Sequence, residues 1–236
     1  MAPMRAPEQS ATILDALLVP FRGVGFKWFA SLMGSALILT LMFPIAAYTP
    51  FLIGLILLAF LWMIWLHGLL RFASSCLSGT ANGSDEPDFG PRWGEIGRDW
   101  AVSGVSLMVY WTITLWVLGD FMVSGNKLLG LIVLLVWWPF GFSIATIRGN
   151  GWSFWDLPAA FGLLTRKPTQ VLLAGFIGGF ATILGCLAHA GLSQLPGTGE
   201  FIAIFAATGP IIYGMATTGA LLGRVIQEDP SVVGTV

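Results

Sequence analysis

Six long apolar stretches run through this chain of 236 residues, and each is close to the length that a helix needs to cross a lipid bilayer. An α-helix rises about 1.5 Å per residue, so about 20 residues span a hydrocarbon core of about 30 Å. The stretches predict an all-α, polytopic membrane bundle that forms a single integral membrane domain over residues 1–236. They cover residues 28–48, 51–70, 101–119, 128–147, 171–192 and 201–223.

The composition agrees with a membrane protein. Hydrophobic residues make up 56% of the chain and charged residues 10%, against about 25% charged residues in ordinary soluble domains. The formal net charge is −1, and the basic residues are spread over several connections without a run. We therefore expect membrane lipids to surround this chain and do not expect it to bind nucleic acid.

The basic residues divide unequally between the two sides of the apolar stretches. Only Lys127, in the third connection, lies on one side, and the other ten of the eleven Lys and Arg lie opposite. Short loops rich in Lys and Arg stay in the cytoplasm. The sequence therefore predicts three helical hairpins in the cytoplasmic (inner) membrane of a prokaryote, with both termini cytoplasmic. The ten residues are Arg5, Arg22, Lys27, Arg71, Arg92, Arg98, Arg148, Arg166, Lys167 and Arg224.

A short amphipathic segment precedes each predicted hairpin. Apolar residues recur in it at helical spacing, next to polar ones, and two of the three segments carry tryptophans suited to the headgroup level. We expect all three segments to lie in the plane of the membrane interface. Their apolar residues are Ile13, Leu17, Leu18 and Phe21 in the first, Trp93, Ile96 and Trp100 in the second, and Trp152, Trp155 and Phe161 in the third.

The longest connection is predicted to be a cytoplasmic loop over residues 74–99. Its front half, 78–84, is rich in Gly, Ser and Thr, which is typical of a flexible linker. Its back half combines acidic, turn-forming and aromatic residues and is a candidate partner-docking loop. A solvated acidic turn is the commoner explanation of such a stretch, and the carboxylate spacing does not fit a calcium-binding loop. The candidate docking residues are Asp85, Glu86, Asp88 and Trp93.

Several short motifs in the first half of the chain resemble a known family. They are Pro20-Phe21, Gly68 to Arg71, Asp85-Glu86-Pro87-Asp88 with Trp93, and Asp99 with Gly104. On these motifs the chain resembles an uncharacterised family of multi-pass prokaryotic membrane proteins. That family, a domain of unknown function, is related to the membrane domains attached to some glycerophosphodiester phosphodiesterases. Leu69 stands where the family tends to have Tyr. The resemblance implies a multi-pass membrane fold and no known reaction.

The sequence shows no constellation of catalytic or metal-binding residues. The apolar stretches contain no Asp, Glu, Lys or Arg, which argues against a carrier built on a buried carboxylate. The two histidines, His67 and His189, have no carboxylate one turn away, and no cluster of Cys, His and acidic residues has ligand spacing. We therefore predict no catalytic residues, no metal and no cofactor, and we do not expect an enzyme.

Small residues recur at spacings of three and four in the last two stretches. Glycines at such spacings let helix backbones approach closely within membranes. The pattern predicts tight packing of the fifth and sixth stretches, either with each other or with a second copy of the chain. The helix-packing candidates are Gly175, Gly179, Gly219 and Gly223.

Three prolines, Pro44, Pro139 and Pro210, lie within apolar stretches and predict kinks. Broken helices can frame a ligand site near the membrane midplane, although ordinary Pro-kinked spans are commoner. Polar residues near two of these prolines are candidates to line a neutral cavity for a lipid-like ligand. The candidate cavity residues are Tyr110, Thr112, Pro139, Thr208, Gly209, Pro210, Tyr213, Thr217 and Thr218.

Two functions agree with these observations. The first is a non-catalytic multi-pass membrane protein that acts as a scaffold, assembly or regulatory subunit for other membrane components. Its partner would be another membrane protein or a second copy of the chain. The alternative is a small permease or lipid-handling transporter with a neutral central cavity. We favour the first because interfacial segments and packing surfaces are plentiful while buried chemical groups are missing.

Overall fold

A computed structural model describes residues 13–48, 51–89, 157–195 and 199–233. Within these ranges the chain is helical and forms no strand, which confirms the predicted helical class. The stretches 101–119 and 128–147 and the second amphipathic segment lie outside the described residues. The helices are α1 (Ile13–Leu18), α2 (Val24–Tyr48), α3 (Phe51–Ala81), α4 (Leu157–Arg166), α5 (Pro168–Leu192) and α6 (Gly199–Glu228), with short 3-10 helices at Val19–Phe21 and Pro230–Val233.

Four of the described helices, α2, α3, α5 and α6, are long and apolar enough to cross a membrane. They correspond to the first, second, fifth and sixth apolar stretches. Apolar length is a local property of the sequence, so it predicts the positions of these helices without any knowledge of how they pack. The candidate membrane spans are Val24–Met42, Ile56–Ala81, Pro168–Leu192 and Phe201–Glu228.

The end of α3 differs from the prediction. The helix continues to Ala81, so the loop expected over 74–99 begins only at Asn82, and the linker predicted from residue 78 is wrong up to Ala81. Thr80 is buried in α3, and its hydroxyl donates to the carbonyl of Cys76 at 2.9 Å. Burial against α6 and under the following loop outweighs the weak helix propensity of Ser, Gly and Thr.

Helix α6 occupies the centre of the described bundle, where it contacts α5, α3, α2 and α1. Its buried residues Ile212, Ala216 and Ala220 share one apolar core with Leu69 and Phe72 of α3. Helix α2 packs against α3, where the Trp65 indole donates a hydrogen bond of 2.9 Å to the carbonyl of Leu32. The small residues of α6 therefore allow several helices to reach one central helix.

The first amphipathic segment is helical, but its fully buried apolar residues lie outside the predicted stripe. Ala16 and Val19 are the buried residues, and the segment contacts α6. The stripe residues Ile13, Leu18 and Phe21 are exposed instead. The exposed stripe agrees with a segment whose apolar side meets lipid.

The prolines do not interrupt the described helices. Helix α2 continues through Pro44 and α6 continues through Pro210. A helix tolerates Pro within a membrane when neighbouring groups satisfy the freed carbonyl. The helix break that a ligand site at Pro210 would need is therefore not present, and Pro139 lies outside the described residues.

Candidate functional site

The threonines predicted to line a cavity lie inside the helix packing of α6. Thr208, Thr217 and Thr218 are all buried. The Thr218 hydroxyl lies within hydrogen-bonding distance of the carbonyl of Ala174 in α5, at 3.0 Å, and of the carbonyl of Gly214, at 2.8 Å. Thr217 donates to the carbonyl of Tyr213, and Thr208 donates to the carbonyl of Ile204 at 2.7 Å. A hydroxyl has one hydrogen to donate, so these donors are engaged within the bundle.

Tyr213 links α6 to the N-terminal segment. Its hydroxyl donates to the carbonyl of Leu17 at 3.2 Å, and its ring stacks on Phe21 with 5.4 Å between ring centroids. Gly209 and Pro210 are half-buried one turn earlier in α6. Of the remaining predicted cavity residues, Tyr110 and Thr112 lie, like Pro139, outside the described residues. Of the described candidates, Tyr213 and Thr218 thus join α6 to other elements, whereas the hydroxyls of Thr208 and Thr217 bond within α6.

The helix-packing glycines are all buried, but a neighbouring helix is identified for only two of them. Gly175 and Gly179 are buried on α5. In contrast, Gly219 and Gly223 of α6 face α3: a methyl group at Gly219 would overlap the carbonyl oxygen of Ala73. The neighbour of these two glycines is therefore α3, the helix that contains the second apolar stretch, whereas Gly178 lies at the contact between the fifth and sixth stretches. The spacing of the glycines fixes the face of the helix but not the neighbour that this face meets.

Residues 82–89, here called the acidic loop, fold back onto the bundle. The amide of Asp88 donates to the carbonyl of Ser75 at 2.8 Å. The Phe89 ring stacks on Trp28 of α2 with 4.7 Å between centroids. Its carbonyl accepts a hydrogen bond of 2.7 Å from the Arg71 guanidinium. The predicted docking loop is thus anchored to its own chain by both backbone and ring contacts.

The carboxylates of the acidic loop point outward or toward the N-terminal segment. Asp85, Glu86 and Asp88 are exposed, while Trp93 lies outside the described residues. The Glu86 carboxylate lies against Gly23, whose φ of +52° places it in the left-handed region. Helix α2 starts at the next residue, so a negative charge here is favourable next to the helix N-terminus. A side chain at position 23 would overlap this carboxylate.

Two arginines from opposite ends of the sequence meet at the acidic loop. Arg22 lies 3.1 Å from Asp15 and 3.4 Å from Asp85, and Arg224 lies 3.7 Å from the other oxygen of Asp85. We call Arg22, Arg224 and Asp85 the two-arginine site. In the sequence, both arginines are explained by the predicted topology alone. Nothing in their spacing signals the pairing, because it arises where α1, the acidic loop and α6 converge.

Metal binding finds no support in the described part of the chain. There, no group of three or more His, Cys, Asp or Glu side chains is placed to hold a metal ion. Cys76 is fully buried between α3 and its neighbours. Buried thiols of this kind act as small apolar side chains.

Comparison of the chain with models of protein families, with curated proteins and with solved structures finds no match. The resemblance to the uncharacterised membrane family therefore stays a prediction that depends on the motifs quoted above. Function has to be inferred from the packing, the charges and the exposed surfaces of the described residues.

Proposed function

We propose that this protein is a non-catalytic membrane subunit that scaffolds, assembles or regulates other membrane components. The observation that carries the proposal is the engagement of the α6 hydroxyls. Thr208, Tyr213, Thr217 and Thr218 donate to backbone carbonyls of the same chain. A ligand site needs a few polar groups free to orient the ligand. Here Tyr213 and Thr218 contact neighbouring elements, and Thr208 and Thr217 donate within α6 itself. Hydroxyls engaged in this way are expected of a structural subunit.

The cytoplasmic contact of such a subunit would be the acidic loop. It presents three exposed carboxylates, at Asp85, Glu86 and Asp88, on a backbone anchored to α2 and α3. An anchored loop loses less conformational entropy on binding than a free one. The supposed partner is therefore a membrane-associated protein with a basic surface, or a second copy of this chain.

The proposed topology has six spans in three hairpins, with both termini in the cytoplasm of a prokaryote. Contacts near the C-terminal end of α6 support it. Arg22 and Arg224 share Asp85 there, Lys167 lies 3.1 Å from Glu228, and the Arg166 guanidinium donates to Ser231 at 2.7 Å. Basic residues gathered at one end of a bundle are typical of its cytoplasmic side.

The same end of the bundle also supports the family resemblance. Pro20-Phe21 and Asp85 to Asp88, which are distant in sequence, lie close together there, because Pro87 is in contact range of the Gly25 position and Glu86 lies against Gly23. Motifs that meet in space are expected when they serve one structural feature. We propose that this contact is what the family pattern encodes.

Mass spectrometry of the protein purified in native nanodiscs tests the proposed function. We expect a membrane protein to co-purify in a fixed ratio and to survive washing. The double variant Glu86→Gln, Asp88→Asn should lose it, whereas Asp229→Asn, outside the acidic loop, should retain it. If instead a small solute co-purifies and is lost on replacing Thr217 and Thr218 by Val, the protein is a carrier and the scaffold proposal fails.

A further inference from the structure

We propose that Arg22 and Arg224 form a binding site for a phosphate group, and that Asp85 fills this site as an internal substitute when no phosphate is bound. The ligand class is an anion with a phosphate group, carried by a phospholipid headgroup or by a soluble phosphate. This proposal goes beyond the scaffold role and does not depend on it.

The geometry of the ion pairs is the first observation. The Asp85 carboxylate lies 3.4 Å from Arg22 and 3.7 Å from Arg224. Charge-assisted hydrogen bonds between guanidinium and carboxylate groups are shorter, at about 2.7–2.9 Å. Asp85 is therefore attracted by both arginines but makes a close bond with neither. Among the described residues, these ion pairs leave guanidinium hydrogens of both arginines available for a better-fitting acceptor.

The burial of Arg224 is the second observation. Only 12% of its side-chain surface is exposed, and its Nε atom is buried without a hydrogen-bond partner among the described residues. A buried donor without an acceptor is unfavourable. A phosphate group carries more acceptor oxygens than a carboxylate and can serve two guanidinium groups together.

Asp85 can leave the site without unfolding the acidic loop. Its side chain is 66% exposed. The loop is held by the backbone hydrogen bonds from Ser84 to Gly79 and from Asp88 to Ser75, each of 2.8 Å, in which the Asp85 side chain takes no part. Rotation of one carboxylate into water is then enough to open the site.

Arg22 stays in place when Asp85 leaves, because Asp15 holds its guanidinium at 3.1 Å. The site also lies between the start of α2 and the end of α6, where membrane-spanning segments reach the headgroup region. Basic pockets between helices at this level bind anionic headgroups. Phospholipid is therefore the source with the highest local concentration.

Ligand binding to the full-length protein in phosphate-free detergent tests the site. The probes are dihexanoyl phosphatidic acid, inorganic phosphate and, as a zwitterionic control, dihexanoyl phosphatidylcholine, titrated by thermal unfolding and native mass spectrometry. Asp85→Asn removes the internal competitor and should tighten binding about two- to fivefold, as expected for a partly exposed ion pair. Arg224→Gln should weaken binding by at least the same factor. Arg166→Gln, a cation at the same end but outside the site, should leave binding unchanged.

The outcomes separate the two sources. Tightening by Asp85→Asn for phosphatidic acid alone identifies a lipid site, and equal tightening for inorganic phosphate identifies a soluble ligand; either result supports the proposal. It is overturned if Asp85→Asn tightens neither probe, or if Arg166→Gln weakens binding as much as Arg224→Gln. If Arg224→Gln does not fold, two variants that keep the buried arginine replace it in the test. The proposal then requires weaker phosphate binding by Arg22→Gln and tighter binding by Asp85→Asn.

Discussion

At the scale of single residues, the closest contacts of the bundle depend on glycines of α6. A methyl group at Gly223 would overlap the Thr80 hydroxyl and the carbonyl oxygen of Leu77 in α3. At Gly34 of α2 a methyl group would meet nothing within 4 Å. Both glycines lie next to apolar residues of long helices, yet only Gly223 sets the distance between two helices.

Gly223→Ala should therefore lower stability by about 1–3 kcal/mol, because the methyl group forces α3 and α6 apart in a close-packed core. Gly34→Ala is the matched control and should change stability little. Thermal unfolding of both variants in detergent measures the difference. Equal midpoints for the two variants would show that α3 and α6 do not approach as closely as described.

Thr218 is a second residue whose contribution to the stability of the bundle can be measured. The one hydrogen of its hydroxyl makes a bond that is shared between the carbonyl of Ala174 in α5, at 3.0 Å, and that of Gly214 in α6, at 2.8 Å. Thr218→Val removes this bond and should cost about 0.5–1.5 kcal/mol, the usual range for hydrogen bonds between membrane helices. Thr218→Ser keeps the hydroxyl and should recover most of the loss. Unfolding by titration with sodium dodecyl sulfate checks both, and a Ser variant as weak as the Val variant would contradict this role.

At the scale of elements, the last turns of α3 and the acidic loop form one packed unit. Gly79 allows the backbone of Glu86 to lie directly on α3, since a methyl group there would overlap the Glu86 carbonyl oxygen. Pro87 is buried, and Phe89 is stacked on Trp28. The loop is therefore fixed by its contacts with two helices, although its composition alone resembles a linker.

Replacement of the anchoring ring tests this unit. Phe89→Ala removes the stacking on Trp28 and should speed hydrogen exchange of the amides of Ser84 and Asp88, which are bonded to α3 carbonyls. Phe26→Ala, at an exposed position on α2, should leave these amides protected. Hydrogen exchange followed by mass spectrometry measures both variants. Unchanged exchange in Phe89→Ala would mean that the ring does not hold the loop.

At the scale of the whole molecule, opposite charges join both ends of the chain at one end of the bundle. A chain of ion pairs runs there from Asp15 through Arg22 and Asp85 to Arg224. Lys167 pairs with Glu228 at the same end. Charges avoid hydrocarbon, so this end must lie at a water-facing surface of the membrane. The unequal division of Lys and Arg predicts that the surface is cytoplasmic.

Labelling of cysteines in whole cells tests this orientation. With Cys186 replaced by Ala, and Cys76 left buried, Ser124→Cys in the 120–127 connection should react with an impermeant reagent from outside. Ser84→Cys in the acidic loop should react only after the cells are opened. The unmodified parent gives the background. The reverse pattern would overturn the proposed topology.

The sequence by itself determined the helical membrane class and the approximate positions of α2, α3, α5 and α6, because apolar length is a local property that the bilayer selects. The tertiary structure alone decided that α3 extends to Ala81, that Gly223 faces α3, and that Arg22 and Arg224 share Asp85. These contacts join segments far apart in the chain. Local pattern shows which face of a helix is apolar or small, whereas the neighbour that meets this face depends on how all the helices pack together.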